Sequence, residues 1–195
     1  MTRIALLRHY PTDWNRERRL QGQIDRLLTE DVRRTLATLC LPQDWANVRI
    51  ITSGLSRTVE TAQLLAPEAK IAEDPRLMEV AWGDWEGQRA EDLLADPGSG
   101  FVPTGDMGWT DRPPGGESMA DAWARLQPAL AEIAAGGPAL LIIHKAIMRV
   151  ILGFAHNWQI SGGAVEIKRG RLYPLTLRSS GMPTRPEAPV RLVAR

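Results

Sequence analysis

The chain of 195 residues carries 24 Lys and Arg against 23 Asp and Glu, a net charge of +1, with three histidines and one cysteine. That length suits one domain with a sizeable core, the near-neutral charge gives no overall field for nucleic acid or an anionic membrane, and Cys40 alone excludes an internal disulfide or a multi-cysteine metal site. No apolar run is long enough to cross a bilayer and no secretory pattern opens the chain, so a cytoplasmic protein with neither nucleic acid nor membrane as partner is expected.

In chain order, Ile4 to Leu7 is short and continuously apolar, the pattern of a strand buried on both faces, and it runs directly into Arg8-His9-Tyr10-Pro11-Thr12. Thr29 to Leu39 reads as a helix capped by Thr29, with Val32, Leu36 and Leu39 on one face; Cys40, between Leu39 and Leu41, reads as packing. Val48 to Thr52 reads as a strand, Ser53 to Ser56 as a turn, and Arg57 to about Leu65 as a helix capped by Ser56 and ended by Pro67. A short strand is expected at Lys70 to Glu73. Glycine and proline then crowd Asp96 to Gly116, so the stretch from about Gly87 to Gly116 is expected to be a lid-like insertion that sets specificity. Helical spacing returns from Ser118 to about Ala135, with an irregularity expected at Pro128. Ala139 to Ile143 repeats the buried-strand pattern and ends at His144, after which Lys145 to about Ala155 reads as a helix. Val165 to Ile167 and Arg171 to Leu177 read as a hairpin turning at Arg169-Gly170, and residues 178–195, with Pro183, Pro186 and Pro189, as an extended tail.

Strand and helix alternate, which predicts an α/β fold with a mostly parallel sheet. Ligands of such sheets collect at the carboxyl ends of the strands, where His9 and His144 stand. Phosphoryl transfer needs an in-line nucleophile, cations around the non-bridging oxygens and an acid for the departing oxygen. His9 beside Arg8 fits the nucleophile, since a neighbouring guanidinium keeps an imidazole neutral. Arg57 at a helix start adds a planar two-pronged donor together with free backbone N–H groups. Glu79, followed by apolar Val80, Ala81 and Trp82, suits the acid, with Glu86 and Glu117 as competitors. Trp82 and Trp85 fit a pocket wall or the core equally well, His156 receives no role, and Met78, Met119 and Met148 read as core.

These segments together resemble the histidine phosphatase superfamily, in its phosphoglycerate mutase-like branch. Arg8 to Thr12 with Asn15 and Gln21-Gly22, Ser53 to Thr58 with Glu60-Thr61-Ala62, Glu79 with Gly83 and Trp85-Glu86-Gly87, Pro114 to Ser118, and His144 occur in the family's order across most of the chain. The resemblance implies a three-layer α/β/α sandwich and a single domain over 1–195. It also implies that His9 is phosphorylated, that Arg8, Arg57 and His144 hold the phosphoryl group with help from Asn15, that Glu79 moves the proton, and that neither metal nor cofactor is needed. Gln21, Tyr10 and Lys145 complete the expected substrate-binding set. Tyr10 and Lys145 stand where the family usually has glycine; Tyr10 is expected to crowd the phosphate or point away, and Lys145 to add a cation or lie along the surface with its charge in water.

The expected activity is a metal-independent phosphomonoesterase acting through a phosphohistidine on a small phosphorylated metabolite. The alternatives are mutase-type transfer, expected of longer chains, and a phosphate-binding module without turnover. The sequence leaves the oligomeric state open, a homodimer included.

Overall fold

The computed structural model describes residues 1–103, 105–157 and 166–195. Its frame is a run of four parallel strands. Thr2–Arg8 (β1) pairs with Ala139–Ile143 (β5), β5 with Arg49–Thr52 (β3), and β3 with Ile71–Glu73 (β4). Arg171–Leu177 (β6) closes the other side antiparallel to β1 and carries the short strands Pro183–Thr184 (β7) and Val190–Arg191 (β8), giving seven strands among the described residues.

Alternation along the central strands divides the core in two. Ile4 and Leu6 of β1, with Leu141 and Ile143 of β5, face one cluster; Ala5 and Leu7, with Leu140 and Ile142, face the other. The first cluster is covered by Met119–Ala135 (α5) and Lys145–His156 (α6), through Leu126, Leu130, Ile147 and Ile151. The second is covered, after the one-turn helix Asp13–Arg16 (α1), by Glu30–Ala37 (α2) and Ser56–Leu65 (α3), through Val32, Leu36, Ala62 and Leu65. Helices on both faces of a mostly parallel sheet make the three-layer α/β/α sandwich, as expected. Because β1 and β5 are buried on both faces, they had to read as unbroken apolar runs.

Several local expectations are corrected. Helix α2 stops at Ala37, and Leu39–Cys40 (β2) is instead a short strand paired antiparallel with Val193–Ala194 (β9) near the end of the tail. Ser56 is the first helical residue of α3 rather than its cap; its N–H and hydroxyl both donate to Asp25, at 2.8 and 2.6 Å, so a distant carboxylate serves the helix start. Helix α5 runs through Pro128, and its start is closed by reciprocal bonds between Ser118 and Asp121. Glu166, Ile167 and Lys168 form no strand, and Val165 lies outside the described residues. The expected first arm of the hairpin is therefore missing over its two described residues, Glu166 and Ile167, although Gly170 does turn with φ +71°.

The segment from Gly87 to Gly116 contains a short helix, Ala90–Ala95 (α4), and sends Leu93 and Met107 into the first core. Gly83, just before it, adopts φ +54°, and a Cβ there would lie 2.1 Å from the Pro114 carbonyl oxygen. Gly83→Ala therefore forces two backbone segments apart, and the expected loss of about 3 kcal/mol is large enough to read from urea unfolding midpoints. A midpoint equal to the parent's would show that this close approach carries no weight.

Candidate active site

The register of the sheet brings the site together. Arg8 sits opposite Ile143 and Thr52 opposite Ile142, so His9, His144 and Ser53 leave adjacent strands at one edge; the His9 N–H donates to the Ile143 carbonyl at 3.0 Å. Beside them lies a cavity of about 150 Å³ lined in part by Arg8, His9, Asn15, Gln21, Arg57 and Glu79.

The two imidazoles are 5.2 Å apart between ring centres. His9 Nδ1 lies 2.8 Å from the Tyr10 carbonyl oxygen, which can only accept; Nδ1 therefore carries the ring proton and Nε2 keeps its lone pair. Burial, then Arg57 and Arg8, push the His9 pKa well below its ordinary value, so the ring is neutral at pH 7. A neutral imidazole with a free lone pair beside two guanidiniums is a competent nucleophile toward an anion.

Arg57, only 1% exposed, is fixed by donating Nη2 to the Gly22 carbonyl at 2.6 Å, Nη1 to the Ile24 carbonyl at 2.9 Å and Nε to His144 Nδ1 at 3.3 Å. Burial lowers its pKa to about 10, which leaves it cationic at neutral pH. Since His144 Nδ1 accepts, its Nε2 carries the proton and donates to Ser53 Oγ at 2.8 Å. Ser53 passes the chain to Thr58 Oγ1 at 3.0 Å, and Thr58 ends it on the Leu55 carbonyl at 2.7 Å. His144 is thus fully buried, with its ring against His9 and its two nitrogens bonded to Arg57 and Ser53. Arg8 Nε and Gln21 Nε2 line or border the same cavity as buried donors with no hydrogen-bond partner among the described residues. An oxyanion at this position satisfies such donors.

Glu79 reaches the cavity from the turn after β4, and its carboxylate accepts from the Val80 N–H at 3.1 Å and from Ala146 and Ile147 of α6 at 3.2 and 3.3 Å. Burial outweighs these bonds and raises its pKa, as general acid work requires. Both competitors are committed elsewhere. Glu86 accepts from the N–H groups of Gln23, Ile24 and Trp82, while Glu117 pairs with Arg125 and accepts from Ala81.

Among the other expected residues, Asn15 lines the cavity and Lys145 stands exposed at its mouth, so the lysine both faces the site and keeps its charge near water. Tyr10 does not line it; half-buried, it packs against the second core cluster with its hydroxyl near Gly170. Trp82 lines the cavity, whereas Trp85 is core, edge-on to Phe101. None of the described residues from Gly87 to Gly116 lines the cavity.

Four participants escaped the sequence reading. Arg19 and Arg149 line the cavity, Ser53 anchors His144, and Arg169 donates to the His9 carbonyl at 3.2 Å and to Asn15 Oδ1 at 3.0 Å. Arg149 was accessible as the residue one helical turn after Lys145; Arg169 carried no signal beyond its turn-like Arg-Gly pair.

Comparison with known proteins shows the family. The sequence profile of the histidine phosphatase superfamily (branch 1) matches residues 4–182. The chain belongs to the histidine phosphatase superfamily. It is 32% identical over 181 residues to a glucosyl-3-phosphoglycerate phosphatase of Mycobacterium tuberculosis (strain ATCC 25618 / H37Rv), covering 83% of this chain and 80% of that protein. It is 39% identical over 153 residues to a probable phosphoglycerate mutase of Enterobacter sp. (strain 638), covering 74% and 70%. A mycobacterial glucosyl-3-phosphoglycerate phosphatase solved in complex with VO3 superposes with TM-score 0.74 at 26% identity, over 90% of this chain and 93% of that one. With that membership and the phosphatase relatives, this histidine phosphatase is a phosphate-ester hydrolase.

For a histidine phosphatase with two histidines held neutral by burial, stability should depend on pH in a defined direction. Both rings have folded pKa values depressed below 6.5, so under acid conditions the unfolded chain takes up protons that the folded chain refuses. Their contribution to stability is therefore present above pH 6.5 and lost as pH falls below it. The urea midpoint should drop between pH 7.5 and 5.5, and His144→Phe should flatten that drop; a parent midpoint unchanged over the window would mean that the rings are not held neutral.

Proposed function

We propose that this histidine phosphatase is a metal-independent phosphomonoesterase for a small phosphorylated metabolite, working through a phosphohistidine on His9. The observation that carries the reading is the His9 ring: neutral, with Nδ1 tied to a backbone carbonyl and Nε2 left with its lone pair, on a cavity shared with Arg8, Arg57 and Glu79. Nε2 attacks phosphorus in line as the ester P–O bond breaks, and protonated Glu79 gives its proton to the departing oxygen. Glu79, now a carboxylate, takes a proton from water as that water attacks phosphorus, the N–P bond breaks, and inorganic phosphate leaves. Arg8 and Arg57 carry the charge of the transferring group; Asn15 and Gln21 add neutral donors. In this reading His144 acts through Arg57, whose Nε it receives. The relatives named as phosphatases match more of the chain than those named as mutases, which favours water over a sugar acid as acceptor.

The test is release of inorganic phosphate from an aryl phosphate and a panel of metabolite esters with EDTA present. Release should survive EDTA, and 3-phosphoglycerate should yield inorganic phosphate rather than its isomer. Interconversion of the isomers without phosphate release would replace this reading by the mutase one. Glu79→Gln should slow alkyl esters by about 10²-fold or more, and aryl esters, whose leaving groups need no proton, by much less. Equal slowing of both classes would remove Glu79 from the acid role.

A further inference from the structure

Arg8 and Arg57 meet the phosphoryl group in the proposed reaction, whereas a third guanidinium, that of Arg169, binds the machinery itself. Its Nε donates to the His9 carbonyl at 3.2 Å and its Nη2 to Asn15 Oδ1 at 3.0 Å, so one edge of the fork bridges two residues of the site. Burial lowers its pKa only to about 10, which leaves it cationic at neutral pH. The turn that presents Arg169 is fixed from two sides. The buried Tyr173 hydroxyl accepts from the Lys168 N–H at 2.6 Å and donates to the Glu166 carbonyl at 2.9 Å, and the Leu192 N–H donates to the Gly170 carbonyl at 3.0 Å. A clamp anchored in this way imposes a position on its partners rather than following them.

The partners of Asn15 decide which way its amide faces. Oδ1 also accepts from the Thr12 N–H at 3.2 Å. A backbone N–H and a guanidinium can only donate, so both require the amide oxygen, and the nitrogen is left as the group that Asn15 offers to the cavity it lines. Rotated by half a turn, the amide would present an acceptor to the phosphoryl oxygens and repel them. The Thr12 bond, the return half of the cap of α1, is the longer and the neutral one; Arg169 supplies the charged donor that decides the orientation. We propose that Arg169 is a positioning residue for phosphoryl transfer: it locks Asn15 with its amide N–H groups toward the phosphoryl group and holds the backbone of the nucleophile, His9. This rests on the phosphomonoesterase reading for the place of the phosphoryl group.

The test is a double-mutant cycle of Arg169→Met with Asn15→Ala, read in kcat/KM for an aryl phosphate and in vanadate affinity, with urea midpoints beside them. Arg169→Met alone should lower kcat/KM about tenfold or more and weaken vanadate binding. In the Asn15→Ala background the same change should cost no more than about threefold, the part carried by the His9 carbonyl. A residue that merely props its turn would cost the same factor in both backgrounds. That result, or an Arg169→Met protein with the parent's activity and vanadate affinity, overturns the proposal. Should Arg169→Met not fold, Arg169→Lys, whose ammonium lacks the planar fork that bridges the two acceptors, goes through the same cycle under the same criterion. If the parent releases no phosphate from any ester, the phosphomonoesterase reading falls and the vanadate arm still decides for Arg169; phosphate release with additive losses removes Arg169 and leaves that reading standing.

Discussion

Replacing His9 by alanine should reduce phosphate release from every ester by about four orders of magnitude or more, the scale on which removal of a covalent nucleophile is felt. The expected loss is large because nothing nearby can substitute. His144 has its Nδ1 occupied by Arg57 and its Nε2 by Ser53. Glu79 is held by three backbone N–H groups and, on the proposed reading, carries the proton. The fold should survive, since His9 contributes one backbone bond to the sheet, His9 N–H to Ile143, that alanine keeps. The measurement is steady-state phosphate release beside an unfolding curve. Residual activity within tenfold of the parent would place the nucleophile elsewhere.

Arg57→Ala should strike activity and stability together. On the proposed reading the guanidinium supplies charge to the transferring group, and its loss should lower kcat/KM by about 10²- to 10³-fold, the range for removing one preorganised stabilising group. It also leaves the Gly22 and Ile24 carbonyls and His144 Nδ1 without their donor, at a cost of about 3 kcal/mol or more for buried acceptors. Arg57→Lys should restore part of the charge but not the three-way anchoring, because an ammonium cannot present the planar fork. The check is vanadate affinity alongside the urea midpoint. Unchanged vanadate binding in Arg57→Ala would remove Arg57 from the phosphoryl site and reduce it to a structural clamp for the Gly22 to Ile24 turn.

The parts that were legible in the sequence share a property: their signal is local. The runs 4–7 and 139–143 are apolar because both faces are covered, and the charged residues at or just beyond their ends stand out against them. Arg57 and Glu79 were legible as members of short motifs, and the structure brings both to the cavity beside His9. What escaped was decided by tertiary contact. The two-residue strands β2 and β9 have no periodicity of their own and exist because the tail returns to pair there, with Arg195 donating to the carbonyls of Ala37 and Leu64. Ser56 looks like a helix cap in sequence, but Asp25, 31 residues earlier, takes both its donors. Arg169 meets His9 and Asn15 across more than 150 residues. The commitment of Glu86 and Glu117 to backbone N–H groups, which leaves Glu79 as the acid candidate, is likewise visible only once distant loops are in place.

The most direct single measurement is to mix the enzyme with an aryl phosphate, quench within one turnover in base, where phosphohistidine persists, and map any phosphoryl adduct by peptide mass spectrometry. A base-stable, acid-labile phosphoryl group on the peptide containing His9, absent from His9→Ala and lost on the timescale of phosphate release, is the expected result. Phosphate release at the parent rate with no adduct, or an adduct on another residue, would contradict the assignment of His9 as the nucleophile.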